Sequence, residues 1–204
     1  MILRLLSPLF LVPPPASIAL PFLRRVRTSF GLRGHSTLSM SEAPQRPKVA
    51  VGQMCSTTDV EGNFQQCREL AIKAKKEGAA LLSLPECFEF MGVPGTGDSL
   101  TMAQPLSGPL FSRYMGLAKE VGIWLSLGGF HESTNDPKKI YNTHAIVSSA
   151  GQLVASYHKL HLFDVDVDGG FKESRSTYRG EQALVVKDTP GEFRHAQLRG
   201  SMIG

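Results

Sequence analysis

Lys48-Val49-Ala50-Val51-Gly52-Gln53-Met54 and Ala79-Ala80-Leu81-Leu82-Ser83-Leu84, with one helical pattern between them, decide the fold of this chain. The first stretch is apolar and rich in valine, and Pro47 just before it suits the start of a strand. The second is a short, continuously apolar run bounded by Gly78 and Pro85, the pattern of a strand buried on both faces. Between them Asp59 can cap a helix, and Phe64, Cys67, Leu70, Ala71 and Ala74 recur at intervals of three and four. Gly78 closes that helix, and Lys73, Lys75 and Lys76 place positive charge at its C-terminal end, where the helix dipole favours it. Strand, helix and strand at this spacing imply a parallel pair joined by a helical crossover.

The theme repeats downstream. Ser107 and Pro109 open a second predicted helix, with Leu110, Tyr114, Leu117, Ala118 and Val121 on one face. Residues 123–130 read as another buried strand. Residues 140–148 and 153–157 read as two more, joined through Ser149-Ala150-Gly151-Gln152 as a hairpin. The body is therefore α/β and layered.

The 204 residues, 42% of them hydrophobic, suffice for one domain with a sizeable core. The formal charge of +4 belongs to the beginning of the chain: residues 1–41 hold Arg4, Arg24, Arg25, Arg27 and Arg33, with no lysine and no acid. The remainder has 17 basic and 18 acidic residues. That balance argues against nucleic-acid binding, which needs a basic face on the folded part. Cys55, Cys67 and Cys87 lack the spacing of a disulfide scaffold or a zinc site, and fit a reducing compartment.

Residues 1–41 join an apolar start to the run Pro13-Pro14-Pro15, an arginine cluster and serines at 7, 17, 29, 36, 39 and 41. This is the composition of an organelle transit peptide, directing the chain to a plastid or mitochondrion. A secretory signal would carry its basic cluster ahead of the apolar run, and here most of it lies behind. The prolines interrupt the run well short of the ~20 residues that span a bilayer, so no membrane partner is expected. Translation from Met40 would yield a cytoplasmic form. The expected organisation is a transit peptide over 1–41, a body over 47–190 and a divergent tail over 191–204.

Three local groups carry chemistry. Leu84-Pro85-Glu86 puts a carboxylate directly after a buried strand, where open α/β sheets place ligands and catalysts, and the proline fixes the backbone beside it. Tyr157-His158-Lys159-Leu160-His161-Leu162-Phe163-Asp164 puts a lysine at the end of another strand. Phe171-Lys172-Glu173-Ser174 adds an acid in a loop that follows Gly169 and Gly170. Taken singly, each is also what a solvated surface residue looks like.

Together and in this order, with Leu125-Ser126-Leu127-Gly128-Gly129-Phe130-His131-Glu132 and Ile140-Tyr141-Asn142, they resemble the nitrilase superfamily of carbon–nitrogen hydrolases. The resemblance is closest to its Nit branch, which includes deaminated glutathione amidases and omega-amidases. It implies a four-layer α-β-β-α sandwich, of which this chain carries the N-terminal part. It further implies hydrolysis of a small carboxylate-bearing amide, deaminated glutathione foremost and alpha-ketoglutaramate as the alternative, by a cysteine, a glutamate and a lysine. Glu86 would be the base, Lys159 the oxyanion-stabilising cation and Glu173 the second glutamate that orients substrate and water. No cofactor, metal or nucleic acid is implied, and intact relatives are expected to be homo-oligomers.

In the family the nucleophilic cysteine follows a strand near the position of residue 190, ahead of Tyr-Asp. Here Gly191-Glu192-Phe193-Arg194-His195-Ala196 stands instead, and no cysteine occurs after Cys87. The expectation is a truncated or alternatively spliced chain, inactive by itself, with a sheet edge and apolar faces left uncovered. Cys87 is not expected to replace the nucleophile, because adjacent strand residues face opposite ways and Glu86 precedes it. Asp164, Asp166, Asp168 and Gly169 imitate a calcium loop, but its twelfth position, a glutamate in such loops, is Arg175.

Overall fold

The computed structural model of the protein describes residues 9–11, 47–93, 95–166, 170–182 and 189–190. The expected transit peptide, apart from the backbone of residues 9–11, and the expected divergent tail lie outside these residues. One sheet is built from β1 (Leu9–Leu11), β2 (Lys48–Gly52), β3 (Ala79–Leu84), β4 (Trp124–Ser133), β5 (Ile140–Val147) and β6 (Leu153–His158), in that spatial order. A short β7 (Thr177–Tyr178) pairs with the beginning of β5 in parallel.

The parallel heart of the sheet is β2–β3–β4. Its crossovers are α1 (Val60–Lys76) and α3 (Pro109–Val121), with a short α2 (Asp98–Met102) preceding the second of them. Both crossovers step the same way along the sheet, and right-handed connections therefore put both helices on one face. Two cross-helix ion pairs agree with this, Arg68–Glu120 at 2.6 Å and Arg113–Glu61 at 2.7 Å.

Local sequence accounts for the helix ends. Asp59 is the N-cap of α1, its carboxylate accepting from Gly62 N–H at 3.0 Å. Gly78 follows the helix with φ 80°, a left-handed conformation that glycine adopts without the strain of a Cβ. The start of α3 corrects one expectation: Gly108, not Ser107, is the N-cap, and Pro109 is the first helical residue, where its missing N–H costs no hydrogen bond. The five-residue α2 escaped the sequence reading because it is too short for any periodicity to register.

The core lies between the helices and the sheet. Ala50, Leu82, Leu84, Leu125, Leu127, Ala145 and Val147 from the strands meet Cys67, Leu70, Ala71, Ala74, Phe111, Tyr114 and Leu117 from the helices. Its aromatic centre is edge-packed, with Tyr114 at 4.9 Å from Phe88 and Phe111 at 5.3 Å from Phe130, centroid to centroid. The other face of the sheet is more open, with Val51 44% exposed although its neighbours Ala50 and Gly52 are buried.

Candidate active site

Glu86 stands two residues past the end of β3, and its position depends on β4. That strand carries an irregularity between Leu127 and Phe130, at Gly128-Gly129. A Cβ on Gly128 would lie 2.9 Å from the Leu84 carbonyl oxygen, and one on Gly129 would lie 2.5 Å from Glu86 Cγ. Only glycines let the β4 backbone approach the turn that holds Glu86. Gly129 has φ 62°, and its carbonyl accepts from Cys87 N–H at 3.0 Å. Cys87 itself has φ 56°, the sole non-glycine residue with positive φ among the described residues.

Lys159 follows β6 and is tied down on both sides of its backbone. Its N–H donates to Asn142 O at 2.8 Å, and its carbonyl accepts from Gly180 N–H at 2.9 Å. Its side chain is buried, and Nζ donates to Glu86 Oε1 and to Glu173 Oε2, each at 2.9 Å. Glu173 opens a single 3₁₀ turn, Glu173–Arg175, and its Oε2 also accepts from Phe163 N–H at 2.7 Å. The structure thus gathers Glu86, Lys159 and Glu173, which lie far apart in the chain, around one ammonium group.

Burial pulls the Lys159 pKa down, but hydrogen bonds to Glu86 and Glu173, together with their charges, outweigh it and hold the group above its ordinary value. Lys159 is therefore a fixed cation at neutral pH. A fourth member of the cluster is Asn142 on β5, to which the sequence assigns no role. Its Nδ2 donates to Glu86 Oε1 and, at 3.2 Å, to Glu173 Oε1. Asn142 sits in the polar first half of β5, beside Tyr141, Thr143 and His144, so no local pattern marks it, and its partners become visible only when three loops converge.

Neighbouring polar residues brace the frame. Glu132 accepts from Thr143 Oγ1 at 2.6 Å and contacts His158 Nε2 at 3.0 Å, while Tyr141 stacks on His158 at 3.8 Å. Asp164 accepts from Ser174 N–H at 3.0 Å and Asp166 pairs with Lys172 at 2.8 Å. These two aspartates fasten the loop that carries Glu173. The remaining members of the calcium-like run, Asp168 and Gly169, lie outside the described residues.

The arrangement offers a carboxylate base, a fixed cation for a developing oxyanion and a second carboxylate that holds the cation. Cys55 is exposed, and burial pushes the Cys67 thiol up to about 12. The Cys87 sulfur faces His131 Nε2 at 3.9 Å. Contrary to the expectation from strand alternation, Glu86 and Cys87 both lie beyond β3, where alternation no longer applies. The two side chains meet different partners instead, Glu86 bonding Lys159 and Asn142 and Cys87 facing His131.

Residues 48–202 match the model of the carbon-nitrogen hydrolase family. The chain belongs to that family. It is 44% identical over 145 residues to the deaminated glutathione amidase of Mus musculus, covering 70% of this chain and 45% of the mouse protein. With the Bos taurus deaminated glutathione amidase it shares 40% identity over 193 residues, 89% of this chain and 58% of the bovine one. The crystal structure of the C. elegans NitFhit protein superposes with a TM-score of 0.64 at 35% identity, over 71% of this chain and 35% of that one. The chain spans about half the length of the curated relatives it matches. Its fold is accordingly the nitrilase-like α/β fold, and the described residues supply one sheet and the helix layer on it. Among the described residues, no helix is long and apolar enough to cross a membrane.

Proposed function

We propose that this chain carries the base-and-cation half of an amidase site that hydrolyses a small carboxylate-bearing amide, deaminated glutathione in the first place. The observation that carries the reading is the pair of 2.9 Å bonds from Lys159 Nζ to Glu86 and Glu173. In it, Glu86 removes the proton of an attacking thiol and returns it to the departing amine. Lys159 holds the oxyanion of the tetrahedral intermediate. Glu173 fixes the Lys159 ammonium, and Asn142 keeps the two carboxylates in register.

The thiol that would form the acyl-enzyme is assigned to none of Cys55, Cys67 and Cys87. The 204-residue chain by itself should therefore not turn over deaminated glutathione or alpha-ketoglutaramate. A chain carrying a family-like continuation after Pro190, with Cys-Tyr-Asp, should hydrolyse deaminated glutathione with the higher kcat/KM of the two. In that extended chain Glu86→Gln and Lys159→Met should each abolish acylation, since losing one oxyanion donor alone costs ~2.7–4 kcal/mol. Turnover by the unextended chain, or full activity in either variant, would reject the assignment of roles.

A further inference from the structure

A second constellation stands beside the amide site, and the proposed hydrolysis uses none of its side chains. His131 lies on β4 directly opposite Asn142 in the β4–β5 register, so it shares the sheet face of the Asn142–Glu86 bridge. Its Nδ1 lies 2.7 Å from Glu89 Oε1, and the backbone N–H of His131 donates to the same oxygen at 2.8 Å. Glu89 is 1% exposed, and its other oxygen, Oε2, is buried without a hydrogen-bond partner.

A carboxylate buried in that way demands a cation close by. His131 supplies it: burial pulls its pKa down, but hydrogen bonds to Cys87 and Glu89, with their charges, raise it to about 10. The second ring nitrogen, Nε2, faces the Cys87 sulfur at 3.9 Å. Cys87 is held in its left-handed conformation by the bond from its N–H to Gly129 O, a backbone geometry that persists only where the surroundings enforce it. It is half-buried, between exposed Cys55 and buried Cys67. Carboxylate, imidazole and thiol stand in line, each orienting the next.

We propose that Cys87 is a modification site, a thiol activated by the Glu89–His131 pair that undergoes exchange with small-molecule disulfides. Thiols beside an imidazolium react as thiolates, and the thiolate is the attacking species in exchange. The Cys87 sulfur attacks one sulfur of the reagent RS–SR. A new Cys87–SR bond forms as the RS–SR bond breaks. The proton lost by Cys87 passes to solvent, from which the leaving thiolate RS⁻ takes one up, while His131 stays protonated throughout with Nε2 facing the sulfur. Cys87 is oxidised to a mixed disulfide, and one half of the reagent is reduced to a thiol.

The chain contains its own controls, because Cys55 is exposed and Cys67 is buried. The reduced 204-residue chain is treated with 2-hydroxyethyl disulfide, and the rate at each cysteine is read by peptide mass spectrometry. Cys87 should react roughly tenfold faster than the more accessible Cys55, and the preference should vanish in concentrated denaturant. His131→Gln should bring Cys87 down to the rate of Cys55, and Glu89→Gln should lower it as well. Continued silence of Cys67 certifies that a variant is folded. Where a variant exposes Cys67, the comparison of native with denatured parent chain decides. A native Cys87 no faster than Cys55, or a folded His131→Gln chain that keeps the full advantage, overturns the proposal.

Discussion

Gly129 and Glu86 are so close that a Cβ added to the glycine would lie 2.5 Å from the glutamate Cγ and 2.9 Å from Asn142 Oδ1. Both contacts are with members of the Lys159 cluster, and Gly129 also needs its φ of 62°. Gly129→Ala should therefore destabilise the fold by about 1–3 kcal/mol, combining strain in the left-handed region with displacement of the Glu86 turn. Urea denaturation of parent and variant chains measures it. An unchanged midpoint would show that β4 can retreat from Glu86 at no cost.

Two half-buried histidines should give stability a maximum near pH ~6.5, the ordinary histidine value. His144, bonded to Ser126 Oγ at 3.0 Å, is lowered to about 4 by burial, so its neutral form is the one the fold accepts. Its contribution is complete above the unfolded value and is lost as pH falls toward 4, by up to roughly 3 kcal/mol. His131, raised to about 10, acts with the opposite sign. Its contribution is complete below the unfolded value and disappears as pH rises through 10. Denaturation midpoints at about pH 4.5, 6.5 and 8.5 test this. His144→Gln should flatten the acid limb alone and His131→Gln the alkaline limb alone; a parent profile without a maximum would contradict both assignments.

Leu9–Leu11 pairs antiparallel with β2, matching Leu9 to Gly52 and Leu11 to Ala50. A chain starting at Met40 lacks that strand, so the β2 edge is bared next to the exposed Val51. Such a chain should aggregate faster and bind more hydrophobic dye than the 204-residue chain, since an open edge beside apolar surface templates association. Light scattering and dye fluorescence at matched concentration compare them. Equal behaviour would mean that β1 protects nothing.

The arginine-rich, acid-free composition of residues 1–41 motivates a separate test, because we propose that it directs the chain to a plastid or mitochondrion. Residues 1–45 fused to a fluorescent protein should enter one of these organelles, whereas a fusion beginning at Met40 should stay in the cytoplasm. Diffuse signal from both fusions would dismiss the targeting proposal.

Much of this architecture is legible in the chain because it follows from local rules. The apolar run of β3, the Asp59 cap and the Gly78 stop each act within a few residues, and a strand–helix–strand spacing admits essentially one handedness. Glu86, Lys159 and Glu173 could be singled out in another way, through motif order and resemblance, since each residue alone reads as surface; the structure brings the three together. Tertiary structure decided what those rules do not reach. Asn142 became a bridge, Gly129 a clearance and Cys87–His131–Glu89 a line of interacting groups only when the β4 irregularity, the turn after β3 and the loop after β6 met in space. The physical reason is range: capping and periodicity operate over one or two turns of chain, whereas a buried charge cluster depends on partners up to 73 residues apart, whose distances no local pattern records.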